Sequence, residues 1–226
     1  MIPWSPSSSV GDYLKAIWES AEAGPASTKE VAERLSVSKA SVTNMFARLR
    51  EMGLVEYERY RGASLTEEGR SEAMRLVRRH RLIETFLLEH LGYAWEEVHG
   101  AAERLEHAVS DEFTERLAEL LGHPERDPHG DPIPAADLTI AAEDSRPFGE
   151  AVEGERVRIS RVSEDPVVLT YLGECGLVPG RRVEVTEVRA VDGVVGLEDE
   201  SGTRHFLGRP LTGSILVQKV GRGDRS

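Results

Sequence analysis

The order of elements in residues 1–65 constrains the fold more than any other feature of the sequence. Apolar residues at helical spacing predict a first helix within residues 10–23. A capping box at residues 27–30 opens a short second helix, and a third helix spans residues 38–53 from a serine cap to a terminal glycine. Two short strands then flank a turn at residues 61–63. Helix, helix, turn, helix and hairpin in this order predict a winged helix-turn-helix domain.

The third helix and the hairpin carry side chains suited to DNA. Serine and threonine hydroxyls reach phosphates, whereas asparagine and arginine can bond base edges. Arginines on the wing can follow the backbone or enter the minor groove. A small helical bundle with a hairpin is the alternative interpretation, but this polar face favours DNA binding. The candidate DNA-binding residues are Ser38, Lys39, Ser41, Thr43, Asn44, Arg48, Arg59 and Arg61.

The net charge of -12 does not exclude a DNA-binding protein, because only the local field at the docking face matters. Between Arg34 and Arg61 there are six basic and three acidic residues, and the acidity lies mostly between Glu84 and Glu155. The single cysteine, Cys175, indicates a reducing compartment. No secretory signal or membrane-spanning run is present in the sequence. We therefore expect a soluble, cytoplasmic protein with no membrane partner.

Residues 66–122 are predicted to be helical throughout. A long helix follows Thr66 and ends at Gly92, and two shorter helices are predicted over 95–109 and 111–121. Apolar residues recur along the long helix with surplus apolar surface, which suggests a homodimer interface and paired DNA half-sites. These residues are Met74, Val77, Leu82, Ile83, Phe86 and Leu87.

Histidines and glutamates on these helices form a candidate metal site. His80 and Glu84 are four residues apart and project from one helical face. A second stripe on the next predicted helix consists of His99, Glu103, Glu106 and His107. Imidazoles and carboxylates on facing helices are a common way to build a metal site. Each residue taken alone is more typical of a solvated or hydrogen-bonded side chain.

The remainder is predicted to be a linker over 123–147 and a β-rich domain over 148–221. The linker is rich in proline, aspartate and alanine. Short alternating strands separated by glycine turns, with a small helix at 167–175, suit a five-stranded SH3-like barrel. This domain could serve as a tether, a ligand carrier or a partner-binding module. The overall fold class is mainly α with a β C-terminal domain.

Several segments resemble the diphtheria-toxin-repressor family of iron- and manganese-dependent regulators. They are GDYLKAIW, SVSKASVTNMFARLREMGLVEYERYRG, RRHRLIETFL, VHGAAERLEHAVSDE and PHGDPIP, with the C-terminal SH3-like (FeoA-like) segment. The resemblance implies a primary metal site of Asp12, Glu103, Glu106 and His107. Metal at that site would cross-link the DNA-binding and dimerisation domains and favour the DNA-competent state.

The same resemblance implies an ancillary metal site. His80, Glu84 and His99, which lie on the facing helices described above, would form its centre. Longer manganese-type relatives add ligands from segments that resemble the sequence around Asp127 and His129 and the acidic pair Glu164-Asp165. Relatives carry a cysteine where this chain has Asp127. Loop positions without a ligand role are the alternative for His123 and His129.

The resemblance and ligand chemistry together indicate the metal. Iron-sensing members carry methionine and cysteine where this chain has Asp12 and Glu103, and carboxylates favour harder ions. Mn²⁺ is therefore the first choice and Fe²⁺ the second. A two-metal branch of the family has a glutamate where this chain has Lys15, which argues against a paired site here. Lys15 itself is expected to be a surface charge.

We therefore expect a metal-dependent repressor of metal-uptake genes that binds a palindromic operator in double-stranded DNA as a homodimer. A metalloenzyme is the alternative of another class, since histidine and glutamate clusters also build hydrolytic centres. No HExxH motif, phosphate-binding loop or nucleophile elbow supports it. A winged-helix regulator of an organic effector is a third possibility.

Overall fold

The computed structural model describes residues 8–20, 24–189 and 191–220. The described chain begins with helices and one hairpin and ends with a β-sheet domain. This confirms the predicted fold class. Within the described residues, no helix is both long enough and apolar enough to cross a membrane.

The N-terminal winged helix packs around one apolar core that includes Leu14, Ile17 and Phe46. Ser27 and Glu30 form both hydrogen bonds of the predicted capping box, and Ser38 caps the third helix. Gly62 ends the wing turn with φ 98°, where an added Cβ would lie 2.5 Å from the carbonyl oxygen of Ala26. The elements are α1 Ser8–Ser20, α2 Thr28–Arg34, α3 Lys39–Glu51, β1 Val55–Glu58 and β2 Gly62–Leu65.

Three helices follow, namely α4 Glu67–Leu91, α5 Val98–Leu105 and α6 Asp111–Leu120. Helix α5 is shorter than the predicted 95–109 helix, so Glu106 and His107 lie in the turn after it. Of the apolar residues expected at a dimer interface, Met74, Val77, Leu82, Ile83 and Leu87 are buried within the chain, and Phe86 packs against the same core as the last three. That expectation was wrong for the buried residues, of which Leu82, Ile83 and Leu87 pack against α5, α6 and the linker.

The linker is an ordered arm packed along α4. Arg78 donates a hydrogen bond to the carbonyl oxygen of Pro134 at 2.8 Å, and Arg81 donates to that of Pro132 at 2.6 Å. Gly130 has φ 90°, and a Cβ there would lie 2.0 Å from the carbonyl oxygen of Ser160. The glycine therefore lets the linker loop lie directly against the C-terminal sheet.

The C-terminal domain is a six-stranded antiparallel sheet in the order β3-β8-β4-β5-β6-β7 around its own apolar core. Five strands match those expected from the sequence, and the sixth is the two-residue β3, which is too short to give a pattern. The elements are β3 Arg146–Pro147, a 3-10 turn Phe148–Glu150, β4 Arg156–Val162, α7 Pro166–Glu174, β5 Arg182–Arg189, β6 Val194–Asp199, β7 Arg204–Leu207, α8 Arg209–Gly213 and β8 Ile215–Lys219.

Candidate metal centres and DNA-binding surface

Asp12 of the winged helix meets Glu106 and His107 of the helical region. Nε2–H of His107 donates to Oδ1 of Asp12 at 2.6 Å, and Oε1 of Glu106 lies 3.5 Å from the same nitrogen. Gly11 allows this approach, because a Cβ there would lie 3.2 Å from the His107 ring. Burial raises the pKa of Asp12, while His107 opposes that rise. One oxygen from α1 and two donors from beyond α5 thus form a group that could hold a cation.

The other oxygen of Glu106 faces inward to Lys15 and His80. Oε2 accepts from Nδ1–H of His80 at 2.5 Å and from Nζ of Lys15 at 3.2 Å. Lys15 is only 9% exposed, so the expectation of a surface charge was wrong. Although burial favours the neutral acid, His80 and Lys15 lower the pKa of Glu106. Glu106 is therefore held as a carboxylate that presents one oxygen to Asp12 and His107.

A second group contains His80, Glu84, His99 and Glu164. Nε2 of His80 lies 2.9 Å from Oε1 of Glu84, in keeping with their spacing of four residues on one helical face. His99 Nδ1 lies 3.1 Å from the same glutamate oxygen and 3.3 Å from Oε2 of Glu164. Burial opposes protonation of His80, but the carboxylates of Glu84 and Glu106 outweigh it and raise its pKa to about 10. Protonated imidazole thus balances the buried carboxylates.

A third group, which shares Glu84, adds Asp127 and His129 of the linker loop. All three residues are buried. None of the described residues offers a hydrogen-bond partner to Oε2 of Glu84, Oδ2 of Asp127 or Nδ1 of His129. Burial, followed by the neighbouring Glu84 and Asp131, raises the pKa of Asp127 well above its usual range. These three buried atoms have lone pairs, lie close together and have no hydrogen-bond partner among the described residues. They fit a bound cation, which would accept a lone pair from each of them.

Trp95 fixes the orientation of His129 in this group. Nε2–H of His129 donates to the carbonyl oxygen of Trp95 at 3.2 Å, so the proton is on Nε2 and Nδ1 keeps its lone pair. The two rings stack with centroids 5.8 Å apart, and Nε1–H of Trp95 donates to the carbonyl oxygen of Pro128. A backbone acceptor on the far side of a ligating imidazole is the usual outer shell of a metal site.

Two of the predicted ligands lie apart from these groups. The Glu103 carboxylate is 57% exposed and lies 3.5 Å from Nε2 of His99, one turn before Glu106. Asp165 caps α7 and accepts hydrogen bonds from the backbone amides of Val167 and Val168. The structure brings together the other predicted ligands, divided over the three groups. The contributions of Lys15 and Trp95 were missed, since neither belongs to a ligand motif.

The predicted DNA-binding residues lie on one continuous region of sequence and are all exposed. Ser38 caps α3 and its hydroxyl contacts that of Ser41, whereas Thr43 bonds the carbonyl oxygen of Lys39. Among the predicted α3 residues, Lys39, Asn44 and Arg48 are therefore those whose side chains have no local capping role. At the wing tip, the Arg59 guanidinium lies 5.1 Å from the ring centroid of Tyr60, which is 91% exposed. Tyr60 is an addition that the sequence pattern did not single out.

An exposed winged helix joined to three groups of residues that could hold a metal ion is the arrangement of a metal-responsive DNA-binding regulator. Family models match the chain over nearly all the described residues. They are the iron dependent repressor N-terminal DNA binding domain at residues 7–63, the iron dependent repressor metal binding and dimerisation domain at 66–135 and the FeoA domain at 146–219. The chain belongs to the iron-dependent repressor family, which consists of metal-dependent transcriptional repressors and not of enzymes.

Individual relatives are similar over most of their length. The iron-dependent repressor IdeR of Mycobacterium leprae is 33% identical over 222 residues, which cover 92% of this chain and 96% of that protein. A manganese-dependent transcriptional repressor in complex with manganese superposes with a TM-score of 0.87 at 40% identity, covering 93% of this chain and all of the other. ScaR with bound Zn²⁺ superposes with a TM-score of 0.78 at 36% identity, covering 95% of this chain and all of the other.

Proposed function

We propose that this chain is a manganese-activated repressor of metal-uptake genes that binds a palindromic operator as a homodimer in the cytoplasm. The contact of Asp12 with Glu106 and His107 carries this proposal. It places one ligand atom on the DNA-binding domain and two on the helical region, with Oδ1 of Asp12 and Nε2 of His107 2.6 Å apart across the boundary. A divalent cation bound there would supply charge neutralisation and a cross-link between the two regions.

The chain's own residues prepare this cross-link. His80 and Lys15 hold Glu106 from behind, so its free oxygen faces Asp12 without rearrangement. Asp12 lies in the second turn of α1, and α1 packs against α3 through the shared core. Fixing Asp12 therefore restrains the helix that carries Asn44 and Arg48. This restraint is the differential energy that would favour the DNA-competent arrangement.

The donor atoms favour manganese. Asp12, Glu84, Glu106 and Asp127 supply carboxylate oxygens, and the described groups contain no sulfur donor. Oxygen-rich sites with one or two imidazoles suit Mn²⁺ better than softer thiolate-preferring ions. Fe²⁺ is the alternative, which the similarity to the iron-dependent IdeR supports. Glu103, exposed beside His99, is proposed to turn toward Asp12 as a further oxygen donor when the cation binds.

The homodimer interface is proposed to use the outer face of α6 in place of the residues expected from sequence. Phe113 and Leu120 are 47% and 61% exposed and lie seven residues apart, on one face of this helix. They fall within the segment matched by the metal binding and dimerisation domain. A two-fold pair of chains would present two copies of α3 to two half-sites.

Operator binding with and without metal tests the proposal. Chelator-treated protein should retard a palindromic fragment from a metal-uptake promoter only after Mn²⁺ is added. Asp12→Ala should lose this metal response and remain a folded dimer, because Asp12 is a surface-facing ligand and not a core residue. Asp137→Asn, an exposed aspartate on the linker, is the control and should respond as the wild type does. Metal-independent retardation, or an unaltered response of Asp12→Ala, would contradict the proposal.

A further inference from the structure

Arg81 of α4 is a buried arginine that contacts the linker loop and the winged helix at once. It is 7% exposed. Its guanidinium donates to Oδ1 of Asp131 at 3.0 Å and to the carbonyl oxygen of Pro132 at 2.6 Å. On another side, its Cζ lies 5.5 Å from the ring centroid of Trp18. Arg81 therefore joins three separate parts of the chain.

The loop side of this arginine leads directly to the third metal-binding group. Nε of Arg81 lies 3.4 Å from Oδ2 of Asp127, the oxygen that has no hydrogen-bond partner among the described residues. Oδ1 of Asp127 accepts from the amides of His129 and Asp131. The loop residues and the guanidinium thus form one hydrogen-bonded unit. A change of charge or position at Asp127 acts on Arg81 without any intervening residue.

The aromatic side leads to the DNA-binding domain. Trp18 lies on α1, the helix that also carries Asp12, and packs against the apolar core of the winged helix. An arginine placed over a tryptophan ring is attracted by the ring's π-electrons, and the attraction strengthens when water is excluded. The strength of this contact depends on how far the guanidinium is drawn toward Asp127. The geometry thus links the position of the Asp127 carboxyl to the position of α1.

We propose that Arg81 is a positioning residue that transmits occupancy of the Glu84–Asp127–His129 group to α1 through Trp18. The proposal rests on the proposed function and adds a second route to it, separate from the Asp12 cross-link. With Oδ2 of Asp127 engaged by a cation, the guanidinium would lose its approach to that oxygen and keep Asp131 and Trp18. Its contact with Trp18 then strengthens and holds α1 in place. Occupancy of a site that contains no residue of the winged helix would thereby favour DNA binding.

A matched pair of arginine variants tests this route. Arg81→Lys keeps the charge but loses the planar group that bridges the loop and the ring. Arg78→Lys is the control, because Arg78 is also buried on α4 and also bonds the linker, at Pro134, but pairs with Glu115. For each variant we would measure the DNA affinity at saturating Mn²⁺ and in chelator, and take the ratio of the first to the second. The Trp95 contribution to the fluorescence, taken as the difference from a Trp95→Phe variant because the chain has three tryptophans, shows when the third group is filled, since Trp95 stacks on His129.

We expect the ratio to fall about fivefold or more in Arg81→Lys and to stay at the wild-type value in Arg78→Lys. Trp18→Leu should lower the ratio and Trp18→Phe should restore most of it, with circular dichroism confirming that both fold. An Arg81→Lys ratio equal to that of the control overturns the proposal, as does failure of its Trp95 signal to saturate, since Arg81 would then only hold the site. If the DNA affinity of the wild type does not change with Mn²⁺, the proposed function fails as well.

Discussion

Replacing Asp127 by asparagine should stabilise the metal-free protein and weaken its response to metal. In the metal-free protein, Oδ2 of Asp127 is buried and has no hydrogen-bond partner among the described residues; the same holds for Oε2 of Glu84, which belongs to the same group. An asparagine keeps the Oδ1 acceptor for the amides of His129 and Asp131, removes a buried carboxyl from beside Glu84 and gives up the approach of Arg81 Nε to Oδ2. Relief of one such buried group is worth about 1 kcal/mol, at the low end of the usual range.

For a chain of this size, about 1 kcal/mol corresponds to a rise of about 2–4 °C in the Tm of the metal-free protein. Mn²⁺ at a hundredfold excess over its Kd contributes about 2.7 kcal/mol per site, or about 5–10 °C. Asp127→Asn should lose the Mn²⁺-dependent stabilisation that comes from the Glu84–Asp127–His129 group and keep the stabilisation that comes from the Asp12 group. The midpoint of the Trp95 fluorescence titration should move to an Mn²⁺ concentration at least tenfold higher.

Thermal unfolding by circular dichroism, with and without Mn²⁺, measures both effects in one set of samples. Asp137→Asn makes the same change on an exposed part of the linker and should alter neither quantity. The contrary result would be an Asp127→Asn protein that is less stable than the wild type without metal and yet retains the full Mn²⁺ response. It would refute the assignment of this buried group as a cation site.

Three further predictions concern pH, a buried lysine and the DNA surface. Because the pKa of Asp127 is raised, this residue must lose a proton to bind metal. The affinity for Mn²⁺, measured by Trp95 fluorescence, should therefore rise with pH through the acidic to neutral range, whereas the stability of the metal-free protein should fall. A flat pH profile would contradict this. Lys15→Met should cost about 2 kcal/mol in urea unfolding, because it removes a buried partner of Glu106, and Lys15→Arg should cost less; equal stability of all three would contradict it. Arg61→Ala should lower the salt slope of DNA binding by about 1.8 per dimer, about 0.9 for each chain, and leave sequence preference intact, whereas Asn44→Ala should relax that preference. Identical effects in anisotropy titrations would count against the assigned roles.

Features of the fold that depend on neighbours in sequence could be predicted. The capping box at Ser27 and the caps at Ser38 and Thr66 place helix starts correctly, because each is a contact within one turn. The end of α5 at Leu105 was missed, since no glycine or proline marks it. The contact of His80 with Glu84 is likewise local and was predicted from spacing alone.

The metal groups required information that periodicity does not contain. Asp127 and His129 reach Glu84 only because the linker folds back along α4, which is a tertiary event. Resemblance to a family supplied them as candidates, whereas spacing could not. Lys15 was misassigned because a lone lysine on a helix is usually solvated; its burial depends on the carboxylate of Glu106, which lies just after α5 and accepts from Nζ.

A metal titration of operator binding tests the central claim most directly. Chelator-treated protein would be titrated with Mn²⁺, Fe²⁺, Zn²⁺ and Co²⁺ under anaerobic conditions, with fluorescence anisotropy of a labelled palindromic fragment as the signal. The oxygen-rich donor groups predict no binding without metal and full DNA binding with Mn²⁺, with Fe²⁺ next in effect. DNA binding that is equally strong in chelator, or activation by Zn²⁺ and Co²⁺ with no response to Mn²⁺, would contradict the account.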